Sequence, residues 1–213
     1  MRQLLRVLLG ASIAVAVTAC QRGTSTVGDG LSGGRLVYEE SFEGSGLPKE
    51  WTTASKAWRV AGGMLHGERA ENEGVWLQVP LPDKVRVTFK AASASDDGDL
   101  KFEVFTDGRT HQSGYVGIFG GWKNSLNIIA RLDEHGSDRL VGAEGQKVVK
   151  DRVYEMAVVR TDSRVRWYVD GKPFLTYHDG KPLEGEGHRH FGFNDWHVPV
   201  RFDDVKVYDL GAP

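Results

Sequence analysis

The chain has 213 residues, a formal net charge of −2, 40% hydrophobic residues and a single cysteine. Its acidic and basic residues are nearly balanced and form no basic block, so nucleic acid is a poor candidate partner. One cysteine cannot form an intramolecular disulfide, so the fold must rest on a hydrophobic core, and the length fits one domain.

Residues 1–19 have the pattern of a secretory signal peptide. Arg2 and Arg6 give a positively charged start, and an apolar run follows from Leu8 to Val17. A membrane-spanning helix needs about 20 apolar residues, so this run is too short to be one. The sequence therefore predicts export of the protein.

The end of this segment, Val17-Thr18-Ala19-Cys20, resembles the lipobox of bacterial lipoproteins. The resemblance implies that Cys20 carries acyl chains such as palmitate, which hold the protein to a membrane. Gln21 follows the cysteine, as in lipoproteins that are sent on to the outer membrane. We therefore expect a lipid-anchored protein of the bacterial cell envelope, at the outer membrane.

Residues 20–34 are rich in Gly, Ser and Thr and lack an apolar period, which predicts a flexible tether. Short β-prone runs separated by Gly, Asp and Pro fill residues 35–213. In one of them, Val165 to Val169, side chains alternate between two faces before Asp170-Gly171 supplies a tight turn. The pattern predicts an all-β domain of two antiparallel sheets packed as a sandwich. The predicted strands span 36–41, 58–60, 74–79, 84–91, 100–106, 115–119, 126–132, 152–161, 164–169, 172–177, 190–194 and 201–208.

Three segments of this domain resemble the concanavalin A-like lectin and glucanase superfamily. They are VYEESFEGSGLPKEW near the start, YEMAVVRTDSRVRWYVDGKPFLTY in the second half and VRFDDVKVYDL at the end. The superfamily includes laminin-G-like modules, family 16 glucanases and domains of the 3-keto-disaccharide hydrolase type. The resemblance implies a jelly roll of two curved sheets, one with a concave face that commonly holds a carbohydrate. It does not define an activity, because such folds carry many functions.

The segment IFGGWKNSLNIIARLDEHGSDR, residues 118–139, is the first candidate site. In a strand over 126–132 the even-numbered residues are apolar and are expected to face the core. The other face, with Arg131 and Asp133, is expected to meet water or a ligand. Trp122 beside these polar groups suits sugar recognition, because the ring stacks on a pyranose and the polar groups bind hydroxyls. Alternatively, Trp122 packs beneath a loop and the charges are solvated.

The segment HRHFGFNDWH, residues 188–197, is the second candidate. His188 and His190 would share one side of a strand, at a spacing that can bind zinc, but no third ligand is evident. The rim of a binding cleft, or plain surface histidines, fits them better. The predicted carbohydrate-binding residues from both segments are Trp122, Asn124, Arg131, Asp133, His135, His190 and Trp196.

A glycoside-active enzyme, hydrolase or lyase, is the alternative function. Retaining glycosidases need two carboxyl groups about 5 Å apart, but the Glu-x-Asp-x-x-Glu motif of family 16 is absent here. The candidate acids are Asp99 and Glu103, or Asp133 and Glu134. A third possibility is a protein-binding lipoprotein of surface assembly, which would show an exposed apolar patch. The sequence favours binding of a glycan or polysaccharide over catalysis.

A structural calcium ion is the one metal that the sequence suggests. Many jelly-roll modules hold calcium where the first strand meets the last. Glu40 and Glu43 near the first strand and Asp203 in the last offer the oxygen ligands that this ion prefers. Alternatively, these side chains cap or pair with local groups.

Overall fold

The computed structural model describes residues 30–212. The predicted signal peptide, Cys20 and the first part of the tether lie outside these residues. Within residues 30–212, none of the helices has the length and apolar character needed to cross a membrane.

The described residues form fifteen strands, one turn of helix and one short 3₁₀ helix. In chain order the strands are β1 (Arg35–Glu40), β2 (Trp51–Thr52), β3 (Trp58–Ala61), β4 (Met64–Gly67), β5 (Val75–Leu77), β6 (Val85–Ser93), β7 (Leu100–Thr106), β8 (Tyr115–Gly120), β9 (Leu126–Arg131), β10 (Leu140–Val141), β11 (Tyr154–Arg160), β12 (Arg164–Val169), β13 (Lys172–His178), β14 (His190–Asn194) and β15 (Val200–Asp209). The helical turn is Gly121–Asn124 and the 3₁₀ helix is Glu186–His188.

The strands build two antiparallel sheets. The first has the order β13-β12-β11-β6-β15-β4-β3, and β1 also pairs with β15. The second has the order β10-β9-β8-β7-β14-β5-β2. The predicted two-sheet sandwich is confirmed.

Aromatic side chains from both sheets fill the space between them. Phe193 of β14 stacks on Phe202 of β15 with ring centroids 3.9 Å apart, and it lies 5.2 Å from Phe89 of β6. Trp167 of β12 meets Phe102 of β7 edge-on at 4.8 Å. Each such side chain contributes about 1.5–3 kcal/mol by leaving water, so this layer holds the two sheets together.

The hairpin between β12 and β13 follows the sequence prediction. Asp170 and Gly171 have φ angles of 50° and 72°. Two central residues with positive φ give the turn whose twist matches that of paired strands. The Asp-Gly turn is therefore confirmed.

The last residues of the predicted tether contact the domain. The guanidinium of Arg86, on β6, donates to the carbonyl oxygens of Gly30 and Gly33, each at 2.9 Å. Residues 30–33 are thereby fixed beside the start of β6.

The prediction of which face of β9 meets the core is wrong. Ile128 and Ala130 do not face the space between the sheets; they pack with Val116 and Ile118 on the outer face of the second sheet. Ile129 lies in the main core instead. Alternation identifies two faces but not which one is the core, and here the outer face is itself buried.

Candidate functional site

A cleft of about 690 Å³ opens on the outer face of the second sheet. Two tryptophans lie at its surface, Trp122 with 36% and Trp196 with 50% of its area exposed. Its remaining lining residues are Asn72, Ser95, Asp97, Asp99, Lys101, Ile118, Lys123, Glu134, His135, His197 and Val198.

Trp122 sits on a turn with an unusual backbone. Its φ is 50°, and those of Lys123 and Asn124 are 57° and 59°. Non-glycine residues rarely adopt this left-handed conformation, and such strain concentrates at functional sites. The Asn124 amide holds the turn by donating to the carbonyl oxygens of Asp96 at 2.9 Å and Val148 at 2.7 Å.

The Trp122 ring also contacts the loop that follows β9. His135 meets the ring edge-on, with centroids 5.5 Å apart. The Arg139 guanidinium lies 5.1 Å from the ring centroid, within the range of a cation–π contact. These contacts orient the ring without burying it.

Two buried carboxyl groups hold the segment that carries Trp196. Asp99 Oδ2 accepts the Trp196 backbone N–H at 3.1 Å. The Asp195 carboxyl accepts the backbone N–H groups of Val198 at 2.9 Å and Ala70 at 3.2 Å. The position of the Trp196 backbone is therefore fixed on both sides of the residue.

A buried cation lies at the floor of the cleft. Lys101, on β7, is only 2% exposed. Its Nζ donates to Asn72 Oδ1 at 2.8 Å and lies 3.1 Å from Glu134 Oε2. A buried ammonium group requires such partners, because desolvation of the charge is costly.

A second set of polar groups lies beside this cation. His111 Nδ1 is 2.6 Å from Glu103 Oε1, and its Nε2 is 3.6 Å from Glu134 Oε2. Glu103 also accepts from the Asn194 amide at 2.8 Å and from the Gln112 backbone N–H at 2.9 Å. Glu103 is thus a fully buried acceptor that braces His111 and does not line the cleft.

Burial changes the acidity of two carboxyl groups around the cleft. It raises the pKa of Asp195 to about 7, and the charge of Asp99 adds to this rise. Burial also raises the pKa of Asp99; Lys101 opposes this rise, and Glu134 adds to it. The cleft therefore contains a carboxyl group that keeps its proton at higher pH than an exposed Asp.

Three of the seven predicted sugar-binding residues, Trp122, His135 and Trp196, line the cleft. The other four do not. The Asn124 amide is used to hold the turn described above. Arg131 Nε donates to Asp179 Oδ2 at 2.9 Å, which makes Arg131 part of an ion pair away from the cleft.

The remaining two predicted residues also bind locally. Asp133 Oδ1 accepts the backbone N–H of His135 at 2.8 Å, which shapes the loop. His190 Nδ1 is 3.0 Å from the Leu77 carbonyl oxygen. Neither side chain lines the cleft.

Lys101, the most buried polar residue at the floor of the cleft, was not among the residues predicted from the sequence. Lys101 lies between Leu100 and Phe102, both of which face the core. This alternation indicates that Lys101 points to the other face of the strand. The signal was present, but it did not reveal that this face is buried.

The predicted calcium site is not supported. Within residues 30–212, no group of three or more His, Cys, Asp or Glu side chains is arranged to hold a metal ion. Glu40 Oε1 instead accepts the Phe42 backbone N–H at 2.6 Å, and Asp203 Oδ1 accepts that of Asp204 at 2.7 Å. These are the local contacts that the sequence left as the alternative.

No protein-family model and no curated protein sequence matches the chain. Solved structures do. The carbohydrate-binding module CBM66 from Bacillus subtilis matches with a TM-score of 0.61 and 17% identity, over 75% of this chain and 96% of that one. A laminarinase from Flavobacterium sp. UMI-01 matches with a TM-score of 0.57 and 12% identity, over 82% of this chain and all of that one.

A sialidase matches with a TM-score of 0.63 and 12% identity. The match covers 83% of this chain but only 19% of the sialidase, so the chain corresponds to a small part of that enzyme. The same two-sheet fold therefore occurs in a carbohydrate-binding module, in a laminarinase and in one part of a larger sialidase chain. The described part of the chain has the antiparallel two-sheet sandwich fold of these solved structures.

Proposed function

We propose that this domain binds a carbohydrate in the cleft that Trp122 and Trp196 line. The observation that carries the proposal is the pairing of two exposed tryptophan rings with a floor of buried charged groups in one cleft. A pyranose has an apolar face that stacks on an indole ring and hydroxyls that bind charged groups.

The chemistry of the floor suits hydroxyl groups. Lys101 can donate to a sugar oxygen, whereas Glu134 can accept from a sugar O–H, and the two lie 3.1 Å apart. The cleft volume of about 690 Å³ falls within the range of small-ligand sites. The similar solved structures include a named carbohydrate-binding module and a laminarinase, which also supports a glycan ligand.

The test is glycan binding by variants of the two rings. We expect a glycan array to identify ligands; it should include β-1,3-glucan hexasaccharide and sialyllactose. Calorimetry should then show that Trp122→Ala and Trp196→Ala each lose about 1–3 kcal/mol of binding free energy. Because both rings are exposed, the melting temperature should change little.

Arg131→Ala is the matched control. The residue belongs to the same chain segment as Trp122, but its side chain pairs with Asp179 and not with the cleft. We expect this variant to bind glycans like the wild type. Absence of any bound glycan, or tryptophan variants that bind normally, would contradict the proposed function.

We also propose that the domain is displayed at the bacterial cell envelope by a lipid on Cys20, at the outer membrane. The support is the lipobox-like sequence that ends at Cys20 and the following Gln21. Wild-type protein should partition into detergent, and Cys20→Ala should remain unprocessed or soluble. A wild-type protein that fractionates as soluble would overturn the anchor.

A further inference from the structure

A second pocket, of about 610 Å³, lies near the start of β6, whereas the glycan cleft lies beyond the end of that strand. Its lining comes from three parts of the chain: Asp83 and Lys84 before β6, residues 160–163 at the turn between β11 and β12, and the segment 182–189. We call it the end pocket. The glycan cleft shares none of these lining residues.

Arg160 is the buried cation of the end pocket. It is 4% exposed, and its Nη1 donates to the Leu183 carbonyl oxygen at 2.6 Å. Its Nε and Nη2 make only long bonds to the Asp83 carbonyl oxygen, at 3.4 and 3.5 Å. A guanidinium group carries five N–H donors, so these three bonds do not satisfy all of them.

No carboxylate neutralises Arg160 at ion-pair distance. In the part of the chain that the structure describes, its guanidinium forms no ion pair. The Phe105 ring lies 3.4 Å from it, a cation–π contact that does not cancel the charge. Burial lowers the pKa of Arg160, which reflects the cost of keeping this charge away from water. Arginine is rarely buried without a paired charge, so Arg160 indicates an oxyanion partner from outside the described residues.

The rim of the end pocket carries exposed charges of both signs. The cations are Lys84 and Arg189, and the acids are Asp83, Glu184 and Glu186. Among residues 30–212, none of these five side chains is in an ion pair. A ligand with one negative and one positive group would pair with both sets, whereas an ion of a single sign would be repelled by one of them.

We propose that the end pocket binds a phosphoethanolamine group, with the phosphate on Arg160 and the ammonium among the rim acids. Arginine can pair with phosphate through two N–H groups at once, and the other phosphate oxygens can then reach Lys84 or Arg189. The ammonium has three donors, which carboxylates accept. The site is separate from the glycan cleft and does not depend on the proposed function.

A phospholipid headgroup and a soluble phosphate ester both present this group. The end pocket lies where the tether meets the domain: Gly30 packs against Val159, the residue before Arg160, and Arg86 holds Gly30 in place. Gly30 follows Cys20 by ten residues, a stretch that spans at most about 36 Å. With the proposed lipid on Cys20, the headgroups of the membrane would therefore be within reach of the end pocket.

The first experiment titrates the purified full-length protein with O-phosphoethanolamine in a calorimeter. Two comparison ligands each lack one feature: glycerol phosphate has no ammonium group, and β-alanine has a carboxylate in place of the phosphate. We expect O-phosphoethanolamine to bind at least about tenfold more tightly than either, because it alone matches both sets of charges.

Variants assign the two halves of the ligand. Arg160→Gln should weaken binding of O-phosphoethanolamine by at least about tenfold. Because Arg160 also packs on Phe105, the exposed double variant Lys84→Gln, Arg189→Gln tests the phosphate contacts without a change in the interior. It should weaken binding in the same direction.

The double variant Glu184→Gln, Glu186→Gln should weaken binding of O-phosphoethanolamine but not that of glycerol phosphate. Arg59→Gln is the charge-matched control and should bind O-phosphoethanolamine like the wild type. Arg59 is exposed on β3, which three strands separate from β11 in the first sheet.

Co-flotation with vesicles distinguishes the two sources of the ligand. The full chain with Cys20→Ala is used, so that a lipid on Cys20 does not itself hold the protein to the vesicles. Stronger flotation with phosphatidylethanolamine and phosphatidylcholine in equal parts than with phosphatidylcholine alone, lost in Lys84→Gln, Arg189→Gln, identifies a headgroup. Binding of the soluble ester without this difference identifies a soluble ligand. Absence of binding in both experiments, equal binding of β-alanine, or normal binding by both Arg160→Gln and the Lys84, Arg189 double variant overturns the proposal.

Discussion

The two faces of the second sheet come from the same strands but are held in place by different forces. On the inner face, Phe102 and Phe193 pack against aromatic rings of the other sheet. On the outer face, Lys101, Glu103 and Asn194 are equally buried, but each depends on a defined hydrogen bond or ion pair. Apolar burial is non-directional, whereas buried charges require specific partners. The inner face therefore stabilises the fold by burying apolar area. On the outer face, specific hydrogen bonds and ion pairs fix the positions of the polar side chains.

The largest effect should come from the inner face. Phe193→Ala removes a ring that stacks on Phe202 at 3.9 Å and on Trp51 at 5.7 Å. We expect the free energy of unfolding to fall by about 4 kcal/mol in urea denaturation, from lost burial and a residual cavity. Val153→Ala, at a residue that is 57% exposed, is the control and should be nearly neutral. A loss below about 1 kcal/mol for Phe193→Ala would mean that this layer is not the source of stability.

A somewhat smaller effect should come from the outer face. Lys101→Met keeps the length of the side chain but leaves the buried charge of Glu134 without its cation. We expect a loss of about 3 kcal/mol in the same assay. The double variant Lys101→Met, Glu134→Leu should recover most of it, because no unpaired charge remains. If the double variant is no more stable than the single one, the cost does not arise from the broken ion pair.

The smallest of the three effects is a pH dependence at Asp195. Its pKa is about 7 in the folded protein, well above the usual 3.8. Between these values the folded state keeps a proton that the unfolded state has released, so stability falls as pH rises from about 4 to about 7. In Asp195→Asn this contribution is absent. The difference in unfolding free energy between wild type and variant should therefore change by on the order of 2 kcal/mol between pH 5 and pH 7.

Denaturation curves at several pH values measure this difference. Asp96→Asn, an exposed neighbour of the cleft, should keep the pH dependence of the wild type. A difference between wild type and Asp195→Asn that stays constant with pH would show that Asp195 does not titrate near neutral pH.

The sequence predicted the longer strands well and missed three short ones, β2, β4 and β10. The runs at 100–106, 164–169 and 190–194 match β7, β12 and β14, because alternation over five or more residues reveals a period. Met64–Gly67 was not predicted as a strand. Its sequence, Met-Leu-His-Gly, ends in glycine and shows no clear β-prone run, and this strand depends on its pairing with Trp58–Ala61 and β15.

At the cleft, the sequence indicated the exposed aromatic residues but not the buried ion pair. Trp122 stood out as an aromatic residue among polar neighbours. Arg131 was grouped with it by closeness in sequence, although its partner Asp179 is 48 residues away. The burial of Lys101 depends likewise on Asn72 and Glu134, which come from distant segments. Such long-range pairings are set by the packing of the sandwich and leave no local pattern.

The contact of Arg86 with Gly30 and Gly33 has a consequence for how a bound polymer could approach the protein. Arg86 is near the start of β6, and Ser93 at its end lies about 23 Å further along the strand, on the way to Ser95 at the cleft. With the proposed lipid on Cys20, the chain would reach the domain at the end opposite the cleft. The anchored segment would then join the domain away from the cleft, so a long polysaccharide bound in the cleft would not have to pass that segment.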